Sequence, residues 1–152
     1  MDGVLDPAEW DGASMIPVAL NPRDKQFTKY VSYAYLMYDD EAFYIGYRAP
    51  LLLGPPRITV TEHDAPVHRD DSFEIILSPA AHDPQKEDLR HFIVNAAGVL
   101  LDERKLDHSW ESGAEVACVV ADGRWTAEVR IPLASIGGER RSEEHTSELQ
   151  SL

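Results

Sequence analysis

Short apolar runs separated by turn-forming residues recur along the chain, and this spacing is the feature that most constrains its fold. The runs are rich in Val, Ile, Tyr, Phe and Thr, and the segments between them contain Asp, Gly or Pro. They cover residues 14–20, 29–38, 43–48, 57–61, 72–77, 89–95, 99–102, 114–120 and 125–131. These lengths are typical of strands. The sequence therefore predicts an all-β protein, a two-sheet antiparallel β-sandwich of the jelly-roll type.

Turn chemistry supports antiparallel pairing of neighbouring runs. Residues 39–41 (DDE) and 96–98 (AAG) are short enough to connect hairpins, and Asp122-Gly123 is a strong signal for a two-residue turn. Residues 132–136 are the only segment that suggests a helical turn. We therefore expect consecutive strands to pair through short loops.

Alternation of side chains predicts which residues face the core. In the run 125–131, one face carries Trp125, Ala127, Val129 and Ile131 and is therefore assigned to the core. In the run 72–77, the same alternation puts Glu74 on the face opposite Phe73 and Ile75. A carboxylate placed among strand residues needs a hydrogen-bond partner or a ligand.

Composition limits the possible partners. The 152 residues suit one domain, and 27 acidic against 14 basic residues give a net charge of −13, which disfavours nucleic acid and anionic membrane surfaces. No run approaches the roughly 20 apolar residues that span a bilayer. Cys118 is the single cysteine, so an intrachain disulfide is impossible and a buried thiol is expected. Neutral ligands remain compatible with this composition.

The character of the chain changes near its C-terminus. Residues 141–151 read RSEEHTSELQS, which shows no strand or helix pattern and resembles the translation of a common sequencing adapter. We therefore predict a β-sandwich domain at 1–140 followed by a non-native tail at 141–152.

Five collinear pieces of sequence resemble the family 9 carbohydrate-binding modules. They are DGVLDPAEW at 2–10, YDDEAFYI at 38–45, DDSFEI at 70–75, FIVNAAG at 92–98 and WTAEVRIP at 125–132. The resemblance implies a two-sheet β-sandwich that recognises a polysaccharide or oligosaccharide without cleaving it. It also implies a module covalently linked to a glycoside hydrolase or to another extracellular protein.

Three features of the chain qualify this resemblance. The family normally continues past the IP-containing strand, so one or more final strands are expected to be missing. Relatives often carry an aromatic residue before the DDSFEI-like piece, where this chain has Val67-His68-Arg69. Residues 1–3 lack the features of a signal peptide, so the protein is either cytoplasmic or has its natural start upstream. For the full-length protein, the resemblance favours an extracellular or periplasmic location.

A sugar site needs an aromatic platform for the apolar ring face and a few polar groups for the hydroxyls. Trp110 lies in a polar loop and is the candidate platform, although an aromatic side chain there can also fold back over the core. Glu74 and Asp71 best match the polar site that the resemblance implies. Asn95 and Arg69 are further candidates, with a turn role as the alternative for Asn95.

Metal and cofactor expectations are limited. We predict no cofactor, but Asp70 and Asp71 offer oxygen ligands for a structural calcium ion. The histidines at positions 63, 68, 82 and 108 lie in polar loops and are expected to be solvated.

Two alternative functions stay open. A haem- or redox-binding sandwich would use Met37 with His91 as iron ligands. A glycoside hydrolase fragment would use Glu74 with Asp71 as its pair of carboxylates. We favour a binding module over an enzyme, because a lone sandwich leaves little room for a deep cleft and no catalytic residue is identified.

Overall fold

The computed structural model describes residues 1–20, 26–78 and 88–137. Within these residues the chain forms eight strands and two short 3-10 turns, Val67–Arg69 and Leu133–Ile136. The predicted tail at 141–152 and His82 lie outside the described residues. The strands are β1 Ser14–Leu20, β2 Phe27–Tyr38, β3 Ala42–Pro50, β4 Ser72–Leu77, β5 Arg90–Asn95, β6 Leu100–Arg104, β7 Glu115–Ala121 and β8 Arg124–Pro132.

The strands form two antiparallel sheets, which confirms the predicted β-sandwich. The five-stranded sheet has the order β1-β2-β3-β8-β7, and the three-stranded sheet has the order β4-β5-β6. Hairpins join β2 to β3, β5 to β6 and β7 to β8, as the turn residues predicted. Asp122 and Gly123 have φ angles of 52° and 70°, the positive values that a two-residue hairpin of type I′ requires.

The core lies between the sheets. Phe92 and Val94 of β5 are fully buried, and they face the buried side chains of β8. Trp125, Ala127, Val129 and Ile131 are 3% exposed or less, so the predicted core face of β8 is confirmed. Full burial of a side chain such as Phe92 contributes about 2–3 kcal/mol of transfer free energy.

The predicted strand at residues 57–61 is wrong, because this segment is an extended loop. The backbone N–H groups of Thr59 and Val60 donate to the carboxylate of Asp70, at 2.8 to 2.9 Å. Arg57 donates its N–H to Asp71 in the same way, at 2.8 Å. Side-chain carboxylates therefore take the hydrogen bonds that a partner strand would supply.

The N-terminal segment covers part of the outer face of the five-stranded sheet. Glu128 of β8 points to that outer face, yet it is only 3% exposed. Its carboxylate accepts hydrogen bonds from the N–H groups of Asp2 and Gly3 and from the indole of Trp10, at 2.7, 2.9 and 3.1 Å. A Cβ atom on Gly3 would come within 2.8 Å of the backbone of Cys118. The first of the five resembling pieces is therefore a structural element.

Candidate functional site

A cleft of about 660 Å³ lies on the outer face of the three-stranded sheet. Its floor consists of side chains that alternate with the core residues of all three strands. The register places Glu74 opposite Ile93, and Ile93 opposite Leu101. His91 lies opposite Glu103 on the same face. The lining is completed by Asp64, Pro66, His68 and His108 from the flanking loops.

The centre of the floor is apolar and fixed in place. Ile93 and Leu101 are 5% and 4% exposed, and both pack against fully buried Val67 of the first 3-10 turn. This small cluster lies on the opposite side of the sheet from the main core. It holds the floor of the cleft in place beneath the polar groups.

Two histidines and two glutamates form a network along the cleft. His91 contacts Glu103 through Nδ1 at 2.9 Å and Glu74 through Nε2 at 3.2 Å. The second carboxylate oxygen of Glu103 lies 3.3 Å from Nδ1 of His108. The Glu74 side chain is 50% exposed, whereas the Glu103 side chain is 7% exposed. Glu74 therefore retains acceptor capacity for a ligand, and Glu103 holds the two imidazoles.

A second concavity of about 590 Å³ lies on the other side of the sandwich, on the outer face of the five-stranded sheet. Trp10, Tyr35 and Arg48 line it. These groups already contact one another or their neighbours. Trp10 packs edge-on against Tyr35 with 6.3 Å between ring centres, and the guanidinium of Arg48 lies 5.8 Å from the centre of the Tyr35 ring.

The sequence matches the family model described as carbohydrate family 9 binding domain-like over residues 1–150. The chain belongs to this family. The matched range reaches into residues 141–152, and the non-native origin of that segment stays a prediction. A search of curated proteins found no match.

Solved structures of family 9 modules share the fold. A family 9 carbohydrate-binding module from Caldicellulosiruptor kristjanssonii in complex with cellotriose has a TM-score of 0.59 and 19% identity. The match covers 87% of this chain and 62% of that one. In complex with glucose, the module from that organism gives a TM-score of 0.63, 18% identity and coverages of 88% and 64%. The chain therefore spans less than two thirds of the length of these family 9 structures.

A structure from Bacteroides uniformis is also similar. It has a TM-score of 0.67 and 15% identity, and the match covers 93% of this chain and 71% of that one. At these identities the likeness concerns the fold.

Of the five residues predicted to bind sugar, Glu74 lines the cleft of this family 9 domain. Asp71 instead lines a separate hollow beside residues 51–55 and Trp125. Glu74 and Asp71, the pair that a glycoside hydrolase would use, therefore line different cavities, and the structure does not bring them together in one cleft. Arg69 is exposed at the end of the first 3-10 turn, and a sugar contact by Arg69 stays a prediction.

The indole of Trp110 packs over the core, which was the alternative to its predicted role as a stacking platform. The ring is half-buried and packs edge-on against buried Phe92, with 6.1 Å between ring centres. The guanidinium of Arg90 lies 5.6 Å from the centre of the same ring. The polar residues around Trp110 left both positions open, and the packing is decided by the surface that the loop meets.

The side chain of Asn95 is occupied within the chain. Its Nδ2 donates to the carbonyl of Val60 at 2.9 Å and to Asp70 at 3.0 Å. Its Oδ1 accepts from the N–H groups of Ala97 and Val99, both at 3.0 Å. Both N–H groups of Nδ2 and both lone pairs of Oδ1 are therefore used within the chain. Asn95 serves the turn, which was the alternative to its predicted role in sugar binding.

Asp70 does not fit a calcium site. Its carboxylate accepts hydrogen bonds from the N–H groups of Thr59 and Val60, from the Thr59 hydroxyl and from the Asn95 amide. Burial alone would raise the pKa of Asp70, but these hydrogen bonds outweigh burial and lower it to about 2. The lone pairs that a calcium ion would need are occupied. Asp71 uses one oxygen to accept from Arg57.

The proposed haem ligands lie on opposite sides of the sandwich. Met37 alternates with Leu36, which packs against the core, so Met37 faces outward from the five-stranded sheet. His91 faces outward from the three-stranded sheet, in the cleft. The two side chains cannot bind the same iron, and this hypothesis is wrong.

Sequence reasoning missed most of the residues that line the cleft. His91 and Glu103 lie on neighbouring strands, and their pairing depends on register. His68 stands in the segment where the family resemblance leads one to expect an aromatic residue, and this was the available signal. His68 and His108 were expected to be solvated. They line the cleft because of the positions of their loops in the folded protein, which the local sequence does not show.

Proposed function

We propose that this chain is a non-catalytic carbohydrate-binding module and that the cleft on the three-stranded sheet holds the sugar. One observation carries the proposal. Half-exposed Glu74 and the imidazole of His91 converge beside the buried apolar pair Ile93 and Leu101. Membership of the family supports the same class of ligand.

This arrangement suits the two surfaces of a sugar ring. The carboxylate of Glu74 can accept hydrogen bonds from hydroxyl groups, and the buried pair Ile93 and Leu101 holds the floor beneath it in place. The rings of His68 and His108 add flat surfaces and polar nitrogens at the rim. Among the described residues that line the cleft there is no Phe, Tyr or Trp. We therefore expect weak binding, because stacking on a large aromatic ring is missing.

The module acts without cleaving its ligand. Glu74 and Glu103 contact opposite nitrogens of His91, so the imidazole stands between them, and the Glu103 side chain is only 7% exposed. A glycosidase needs its two carboxylates on either side of the scissile bond. The geometry of the cleft supports binding over hydrolysis.

The same proposal includes the setting of the module. We expect an extracellular or periplasmic protein in which this domain is covalently linked to a catalytic domain. The family membership supports this view. Sequencing the uninterrupted gene tests it, since a hydrolase domain and a secretion signal should be encoded beside the module.

The test of the binding site is calorimetric titration of glucose and of cello- and xylo-oligosaccharides into the wild-type protein. We expect millimolar to micromolar binding that Glu74→Gln weakens by about 1–3 kcal/mol, which is roughly 5- to 150-fold. The Gln variant keeps the shape of the side chain and removes the charged acceptor.

The matched control is Arg48→Gln in the second concavity. Retained affinity in this variant, with loss in Glu74→Gln, supports the cleft as the site. The reverse pattern would move the site to the five-stranded sheet. No binding to any sugar of the panel, or release of reducing sugar by the pure protein, would overturn the proposed function.

A further inference from the structure

A second cluster of imidazole and carboxylate groups lies at the outer edge of β6, beside the cleft. The Nε2 atom of His63 is 3.5 Å from Asp64 Oδ2, 3.5 Å from Asp102 Oδ1 and 3.4 Å from Glu111 Oε2. The carboxylates come from three parts of the chain: the loop before the first 3-10 turn, β6 itself and the loop that follows it. One ligand atom from each of His63, Asp64 and Asp102 lies within 4.8 Å of the others.

Asp102 is the buried member of this cluster, and one of its oxygens points to a ligand. Its side chain is 1% exposed, and its Oδ2 accepts a hydrogen bond from the N–H of Ser112 at 2.6 Å. Its Oδ1 is buried and has no hydrogen-bond partner among the described residues. A buried carboxylate oxygen without a partner costs free energy, so it is rare in a folded protein unless a water or an ion completes it.

The histidine cannot satisfy the carboxylates by itself. A single N–H at Nε2 of His63 can donate one good hydrogen bond, but three carboxylates surround that nitrogen at 3.4 to 3.5 Å. Each distance is too long for a strong charged hydrogen bond. The carboxylates also repel one another, and a cation between them would remove both problems.

The spacing of these atoms suits a small divalent metal. Ligand atoms about 2.0–2.2 Å from a tetrahedral metal lie about 3.3–3.6 Å from one another. The distances from Nε2 of His63 to its three carboxylate neighbours have this size. Calcium prefers a larger shell made of oxygen alone, whereas an imidazole nitrogen favours zinc and related transition metals.

We propose that His63, Asp64 and Asp102 bind a divalent transition metal of the zinc class, with Glu111 as a fourth ligand. The Glu111 side chain is 69% exposed, so it can close the site by a small rotation. The metal would attach both flanking loops to β6, which is an edge strand of its sheet. The N–H of Asp64 already donates to the carbonyl of Leu100 at 3.1 Å, so this edge is partly covered.

The metal site is separate from the proposed sugar site but touches it. Asp64 also lines the cleft, whereas Asp102 points to the opposite side of β6 from Glu103. A bound metal would therefore fix one wall of the cleft without occupying its floor. The inference does not depend on sugar binding.

The test uses the full chain after removal of metals with EDTA and dialysis. Titration with Zn²⁺ should show one site with micromolar or tighter affinity and a rise in thermal midpoint, and Ca²⁺ should bind at least about 100-fold more weakly. Asp102→Asn and His63→Gln should each lower Zn²⁺ affinity by more than about tenfold, since even residues that only support metal ligands have effects of that size. His63 is half-exposed, so His63→Gln is expected to fold.

The matched control is His91→Gln, which alters the imidazole–carboxylate network of the cleft. Retained Zn²⁺ affinity in this variant, with loss in Asp102→Asn and His63→Gln, supports the proposal. Absence of stoichiometric Zn²⁺ binding by the wild type would overturn it. Binding that is lost in His91→Gln but kept in Asp102→Asn, or that favours Ca²⁺ over Zn²⁺, would overturn it as well.

Discussion

Two buried aspartates in this molecule have opposite surroundings. Asp70 is 8% exposed, and its carboxylate accepts hydrogen bonds from two backbone N–H groups, a hydroxyl and an amide. Asp102 is 1% exposed, and one of its oxygens has no hydrogen-bond partner among the described residues. Residue type and burial are alike in the two cases. The hydrogen-bond donors around each carboxylate make the difference.

This comparison separates a structural carboxylate from one that can take a ligand. The loop at 57–60 brings its N–H groups to Asp70, so the carboxylate finds its hydrogen-bond donors within the chain. The segment at 63–64 instead brings an imidazole and another carboxylate to Asp102. A buried carboxylate whose two oxygens both accept hydrogen bonds stabilises the fold, whereas one with an unpartnered oxygen beside further carboxylates calls for a cation.

The largest effect is expected from breaking the anchor around Asp70. Asn95→Ala removes four hydrogen bonds, so the carbonyl of Val60 and the N–H groups of Ala97 and Val99 lose the Asn95 side chain as partner, and Asp70 loses one of its donors. We expect the free energy of unfolding to fall by about 2–4 kcal/mol, measured by urea denaturation. A loss below about 1 kcal/mol would mean that the loop can find other partners.

The pH dependence of stability tests the role of the hydrogen bonds around the Asp70 carboxylate. The pKa of Asp70 is lowered from 3.8 to about 2, so its contribution to stability is present above about pH 4 and is lost as the pH falls through about 2. The thermal midpoint of wild type should therefore fall between pH 4 and pH 2. The thermal midpoint of the Asp70→Asn variant should fall less steeply over that pH interval. Equal slopes for the two proteins would show that other groups dominate acid unfolding.

The smallest effect is expected at Asp102 in the metal-free protein. Asp102→Asn keeps an acceptor for the N–H of Ser112 and replaces a charge that faces Asp64 and Glu111. We expect a change in the free energy of unfolding below about 1 kcal/mol, in the stabilising direction. Urea denaturation in EDTA measures it. A marked loss of stability would show that the charge of Asp102 supports the fold without any metal.

The strand plan of this protein follows from its sequence. Eight predicted runs form strands within a few residues of the expected bounds, and the hairpins at 39–41, 96–98 and Asp122-Gly123 occur as expected. The core face of β8 is also the predicted one. These features are local, because strand alternation and turn geometry depend on residues that are neighbours in the chain.

Only part of the candidate site could be predicted from the sequence. Glu74 was placed on the correct face of β4, since alternation alone decides this. Trp110 was the candidate platform, with packing over the core as the alternative, and the structure places it over Phe92, which lies 18 residues earlier. Burial of such a side chain depends on which surface its loop meets, and local composition does not encode that surface.

By itself the sequence determined an antiparallel sandwich, its hairpins and the face on which Glu74 lies. Tertiary structure decided that His91 would join Glu74 to Glu103, and that Asp102 would be buried beside His63 with one oxygen unpartnered among the described residues. The physical reason is the range of the interactions involved. Alternation and turns act over two to four residues, whereas sheet register and loop packing bring together groups that are far apart in the chain and thereby set their charge, burial and hydrogen bonding.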